Sequence, residues 1–290
     1  MRKVIVTGAS GQLGKALIQA YEGDPQVELV ALDHKDLAIE DLESVRQMFL
    51  REEPDVVINC AAYTNVDGCE ENESQANRIN GVGPRNLAIY CEKLNAKLIH
   101  ISTDYVFDGC GSRPYREDDR PMPVSAYGRS KLVGEMYVAN LCHRHFIIRT
   151  AWLYGEGKNF LNTMLRLSQT HDRISVVDDQ VGCPTSTKEL ARMIRFLEPT
   201  EQYGLYHGVC RGQVSWAGFA REIFRLYGRD TEVIPITTEQ YRQMNPRTAH
   251  RPSYSVLEDR MLARIFPEGM QGFCMKDWKE ALEEFKKENK

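Results

Sequence analysis

A tyrosine and a lysine four residues apart, in Tyr127-Gly128-Arg129-Ser130-Lys131, open a stretch of helical period, so both side chains leave one face of the helix. A phenol has a reference pKa of about 10 and trades protons poorly at neutral pH unless a nearby cation favours its phenolate. Lys131 supplies such a cation, and the pair suits the transfer of one proton at a carbonyl or alcohol oxygen. The spacing alone equally describes a solvated surface pair. Ser102-Thr103-Asp104-Tyr105, at the end of an apolar β-branched run, changes that balance. The C-terminal ends of parallel strands line the ligand crevice of such sheets, and Thr103 there offers a hydroxyl to the oxygen that Tyr127 would serve.

A second constellation lies at the start of the chain. Glycines at 8, 11 and 14 follow the first apolar run and open the first helical segment. In that setting Gly8, Ser10, Gly11, Gln12, Leu13 and Gly14 form a dinucleotide-binding loop: a tight turn, close backbone approach to a pyrophosphate, close helix–strand packing, and a helix N-terminus facing the negative charge. Asp33 ends the second run about 20 residues later, where an acid can bond an adenosine ribose hydroxyl, which favours NAD. Lys35 follows at once and can instead meet a 2′-phosphate, so NADH and NADPH both stay open.

These residues require an alternating scaffold. Short buried-type runs at 3–7, 28–32, 55–59, 97–102 and 146–149 alternate with helical segments at 13–21, 41–51, 74–94 and 126–143. That order gives an α/β fold, a Rossmann-type doubly wound parallel sheet over residues 1–150, with a smaller C-terminal substrate-binding lobe over 151–290 packed onto it. In the second half, helices are expected near 160–170, 188–197, 215–227 and 276–287, with a strand near 174–177.

Composition narrows the partners. The 290 residues carry 37 Lys+Arg against 41 Asp+Glu, a net charge of −4 without blocks of like charge, which argues against nucleic acid and a membrane surface. Eight scattered cysteines form no CxxC and no metal-ligand spacing, so they read as reduced thiols and no metal site is expected. With no signal-like start and no membrane-length apolar run, the expected compartment is the cytoplasm.

Glycine loop, strand-end hydroxyl and Tyr-x-x-x-Lys, in that order, resemble the extended short-chain dehydrogenase/reductases. Longer motifs narrow the resemblance: Thr103-Asp104-Tyr105-Val106-Phe107-Asp108-Gly109, Arg149-Thr150-Ala151-Trp152-Leu153-Tyr154-Gly155, Asn159-Phe160, the run from Val177 to Thr185, and Arg251-Pro252 with Ser255. Over nearly the whole chain these are similar to the dTDP-4-dehydrorhamnose reductase family. The resemblance implies reduction of the 4-keto group of a dTDP-4-dehydro-6-deoxy sugar by NADPH or NADH, in the synthesis of a cell-envelope polysaccharide precursor. It implies Tyr127 as proton donor, Lys131 on the nicotinamide ribose and Thr103 orienting the carbonyl. Ile39, Ala61, Ala62 and Tyr63 would join the cofactor site, and Thr103, Asp104, Tyr127, Trp152, Asn159, Gln180 and Arg251 the substrate site.

The chain also departs from the family. Ala38 stands where many members carry an aspartate near the adenine, and Gly14-Lys15-Ala16 lacks the acid through which some members dimerise around magnesium. The resemblance therefore implies no bound metal and a monomer or weak homodimer. Three competing activities share parts of the pattern. A nucleotide-sugar dehydratase would need an acid where Tyr105 stands, and Trp152 and Arg251-Pro252 do not favour an epimerase. A non-catalytic NADP-binding regulatory subunit, like that of methionine adenosyltransferase, keeps the Tyr/Lys pair but resembles the reductases less at Thr150-Ala151-Trp152.

Overall fold

The computed structural model describes residues 1–267 and 272–288. Five parallel strands from the first half form most of the sheet: β1 (Arg2–Thr7), β2 (Val27–Leu32), β3 (Val56–Asn59), β4 (Lys97–Thr103) and β5 (His145–Thr150). A sixth parallel strand, Gly204–His207, pairs with β5, giving the order β2, β1, β3, β4, β5, Gly204–His207. Strand order reverses between β1 and β3, and the crevice beyond their C-terminal ends is where such sheets hold ligands.

Both faces are apolar because successive strand residues alternate. Val4, Val6, Ile58, Ile99 and Ile148 face α1 (Gln12–Tyr21) and helices of the second half, whereas Ile5, Val57, Leu98 and Ile147 face helices of the first half. The latter layer is built on α2 (Leu42–Glu52) and, past the short helices α3 (Val66–Glu71) and α4 (Glu73–Asn77), on α5 (Gly83–Lys93) and α6 (Ala126–Leu141). The segment expected as one helix over 74–94 is interrupted by a π-turn at Arg78–Val82 before Gly83-Pro84. Proline lacks the N–H that a continuous ladder would use, and the wider turn absorbs the break.

The second half adds α7 (Phe160–Leu167), α8 (Thr187–Leu197), α9 (Trp216–Tyr227), a parallel pair between Arg173–Val177 and Glu232–Ile236, and a C-terminal helix at Trp278–Glu288. α8 and α9 bury Leu190, Ile194, Phe219 and Ile223 in the same apolar layer as β1, β3, β4 and β5. The two halves therefore share one core, and the strand Gly204–His207 returns to the sheet from beyond residue 150. Among the described residues no helix is long and apolar enough to cross a membrane.

Candidate active site

A cleft of about 1160 Å³ runs along the C-terminal ends of β1 to β5. Its cofactor side contains every residue expected there: Gly8, Ser10, Gly11, Gln12, Leu13, Gly14, Asp33, Ile39, Ala61, Ala62, Tyr63 and Lys131. Gly8 has φ +64°, and a Cβ on it would lie 2.8 Å from Ala61 N; a Cβ on Gly14 would lie 2.4 Å from the Gly8 carbonyl oxygen. α1 starts at Gln12 with no side-chain cap and no acid in its first turn. Its first N–H groups are thus free to meet an anion, and the loop fits a dinucleotide pyrophosphate. The Asp33 carboxylate accepts a 2.8 Å bond from Ser10 N, which holds its pKa below the usual carboxylate value. Lys35 lines the cleft, while His34 turns to Glu40 at 3.1 Å.

Tyr127, Lys131 and Thr103 meet in this cleft, the first two from α6 and the third from the end of β4. Ser125 caps α6 by accepting from Gly128 N at 3.1 Å, so the helix begins at Ala126, one residue before the tyrosine. Lys131 is 2% exposed and donates to the Ile101 carbonyl oxygen at 2.6 Å. Burial lowers its pKa to about 8, and the Glu135 carboxylate one turn further on opposes that fall.

The expected effect of Lys131 on Tyr127 is not what dominates. Burial pushes the phenol above its ordinary pKa, and a side-chain hydrogen bond with Thr103 works in the other direction. A phenol so placed keeps its proton at neutral pH, the state a proton donor needs.

On the side where the sequence leads one to expect the substrate, Asp104, Tyr105, Thr150, Trp152, Phe160 and Trp216 line the cleft with Thr103 and Tyr127. Asp104 is 2% exposed and accepts from the Thr103 hydroxyl at 3.0 Å, leaving Oδ2 unpartnered; burial raises its pKa to about 6. The Thr150 hydroxyl is likewise buried without a partner. Tyr105 meets Tyr127 edge-on, with ring centres 5.5 Å apart.

Asn159, Gln180 and Arg251 are not among the lining residues. Asn159 caps α7 and donates to Gln12 Oε1 at 2.9 Å, so it touches the cofactor loop rather than open space. Gln180 is buried and donates to the Thr238 hydroxyl at 3.0 Å. Arg251 lies behind Tyr105, paired with Asp67 at 3.1 Å.

Comparison with known proteins decides the family. The model of the RmlD substrate binding domain matches residues 1–290. The chain belongs to the dTDP-4-dehydrorhamnose reductase family. It is 42% identical to the spore coat polysaccharide biosynthesis protein SpsK of Bacillus subtilis, over 99% of this chain and 98% of that protein. Two solved dTDP-4-dehydrorhamnose reductases are similar throughout. That of Clostridium acetobutylicum has TM-score 0.94, 46% identity and 99% coverage of each chain; that of Bacillus anthracis, in complex with NADP, has TM-score 0.92, 40% identity and 100% coverage of each.

Within this reductase family chain, several site-supporting residues escaped sequence reasoning. Glu135 accepts two bonds from Arg149, at 2.9 and 2.7 Å, and one from Ser102 at 2.5 Å, tying α6 to β5 and β4 directly behind Lys131 and Thr103. Its spacing, four residues after Lys131, was a usable signal; the β4–β5 register that sets Ser102 beside Arg149 was not. Asn80, on the π-turn, accepts from Tyr63 N at 2.8 Å and donates to Tyr63 O and Ser130 Oγ at 3.0 Å, fixing the cofactor-side loop to α6. Trp216 carries no sequence signal of its own, because an aromatic residue at a helix start most often packs.

Proposed function

We propose that this chain reduces the 4-keto group of dTDP-4-dehydro-L-rhamnose to give dTDP-L-rhamnose, using NADPH or NADH, in polysaccharide precursor synthesis. One observation carries the proposal: a phenol that keeps its proton, a buried ammonium and a strand-end hydroxyl converge in the cleft that also holds the glycine loop. Family membership and the NADP complex of the Bacillus anthracis reductase support the choice of reaction and cofactor. The regulatory-subunit alternative has no comparable support.

The Gly8–Gly14 loop and Lys131 would hold the dinucleotide, which when bound would supply the hydride. Thr103 and Tyr127 hold the ketone oxygen; as the carbonyl carbon gains hydride, its π electrons move to oxygen and Tyr127 delivers the proton that completes the hydroxyl. Lys131, held against the Ile101 carbonyl, stabilises the phenolate left behind until solvent returns its proton. Asp104, which lines the cleft beside Thr103, would meet a sugar hydroxyl. Trp152 supplies an apolar surface for the sugar. Asn159 and Gln180 act one step removed, the first through Gln12 and the second by fixing its loop, and Arg251 acts by seating Tyr105. In this account the protein works in the cytoplasm on small-molecule ligands, as a monomer or weak homodimer, without metal, nucleic acid or membrane.

The test is to follow NADH and NADPH oxidation with the enzymatically generated 4-keto-6-deoxy sugar nucleotide and to identify the product. Turnover to dTDP-L-rhamnose is expected; no turnover with either cofactor would return the chain to the class of binding subunits.

A further inference from the structure

Among the described residues three that are not glycine have positive φ: Glu53, Asn95 and Trp152. The first two have local reasons. Glu53 is the left-handed C-cap of α2, and asparagine tolerates this region at the turn after α5. Trp152, at φ +46°, ends no helix and is bulky, so its conformation must be imposed by its surroundings. Two neighbours provide that. The Trp216 indole lies parallel to the Trp152 indole with centres 3.5 Å apart and planes 6° from parallel, and Phe160 backs Trp216 at 4.5 Å. Gly182 approaches so closely that a Cβ on it would lie 2.5 to 2.8 Å from three atoms of the Trp152 indole.

The geometry points to Trp216 as a positioning residue for the sugar nucleotide: its indole, with Gly182, holds Trp152 in the left-handed conformation in which that side chain meets the substrate. The inference rests on the proposed reductase activity. Trp216 starts α9, whose N-terminus is capped by Ser215 and whose body is packed by Phe219 and Ile223 into the shared core. A stack anchored in this way transmits the placement of a core helix to a side chain at the mouth of the site. The cofactor side, built on Gly8 to Gly14 and Asp33, is a separate part of the cleft, so the effect should fall on one ligand only.

The test uses steady-state kinetics with both substrates varied. Trp216→Ala is expected to raise the sugar-nucleotide KM by roughly tenfold, the scale of an aromatic contact, with the NADPH KM unchanged. Trp216→Phe, which keeps a flat ring, should recover most of the loss. Gly182→Ala, which pushes on Trp152 from its other contact, should raise the same KM even if Trp216→Ala folds poorly. A sugar-nucleotide KM that stays at the wild-type value, or falls because Trp216 was occupying the sugar's place, overturns the inference and leaves the reductase reading intact. Failure of the wild-type protein to turn over the sugar nucleotide defeats both.

Discussion

Lys131 sets the upper pH limit of the cleft. Burial lowers its pKa to about 8 while Glu135 holds it up, and Cys60 also faces it, though burial keeps that thiol protonated. Buried His100, bonded to Asn59, is kept neutral by burial and by Lys131, and Arg149 is neutralised by Glu135. The group that discharges near pH 8 is therefore the lysine itself. As pH rises through that value the ammonium is lost, and kcat/KM should fall on an alkaline limb approaching tenfold per pH unit. In Lys131→Arg, whose guanidinium stays charged, that limb should vanish at whatever lower activity remains; a wild-type profile flat to about pH 9.5 would contradict the assignment. Tyr127, Lys131 and Thr103 were legible in sequence because helix period and strand ends fix direction. The electrostatic balance at Tyr127 was not, because burial depends on what the rest of the chain packs around it.

The glycine loop acts as an element rather than as separate residues. Gly14 packs α1 against the β1 turn so tightly that a Cβ would overlap the Gly8 carbonyl, 2.4 Å away, and the Ala9 carbonyl, 2.6 Å away. Gly14→Ala should therefore cost about 1–3 kcal/mol of stability, the usual range for overpacking, and displace the α1 N-terminus from the pyrophosphate. Thermal melting and an NADPH titration would check both effects; an unchanged melting temperature with unchanged affinity would mean the loop has slack the geometry denies it. Strands β1 to β5 could be read because runs such as Val56–Asn59 and Lys97–Thr103 are buried along their whole length. The strand Gly204–His207 could not: four residues beginning with glycine carry little strand signal, and it is pairing with β5 that makes them one. The π-turn at Arg78–Val82 was hidden for a similar reason, since helical period continues on both sides of it.

Across the whole molecule, a net charge of −4 and two anionic ligands are compatible because the favourable field is local. The uncapped start of α1 offers the field that cofactor phosphates would need, whereas Arg251 is already paired with Asp67. The two halves bury one core layer together, so both ends of the cleft are held by the same sheet. On that frame the proposed chemistry turns on one group, the Tyr127 phenol as proton donor. The direct measurement is turnover of Tyr127→Phe with the 4-keto sugar nucleotide and NADPH, alongside its NADPH affinity. Tyr127→Phe should keep its cofactor binding and lose at least roughly 10²-fold in turnover, the usual scale for a positioned acid. Near-normal turnover by Tyr127→Phe would contradict it.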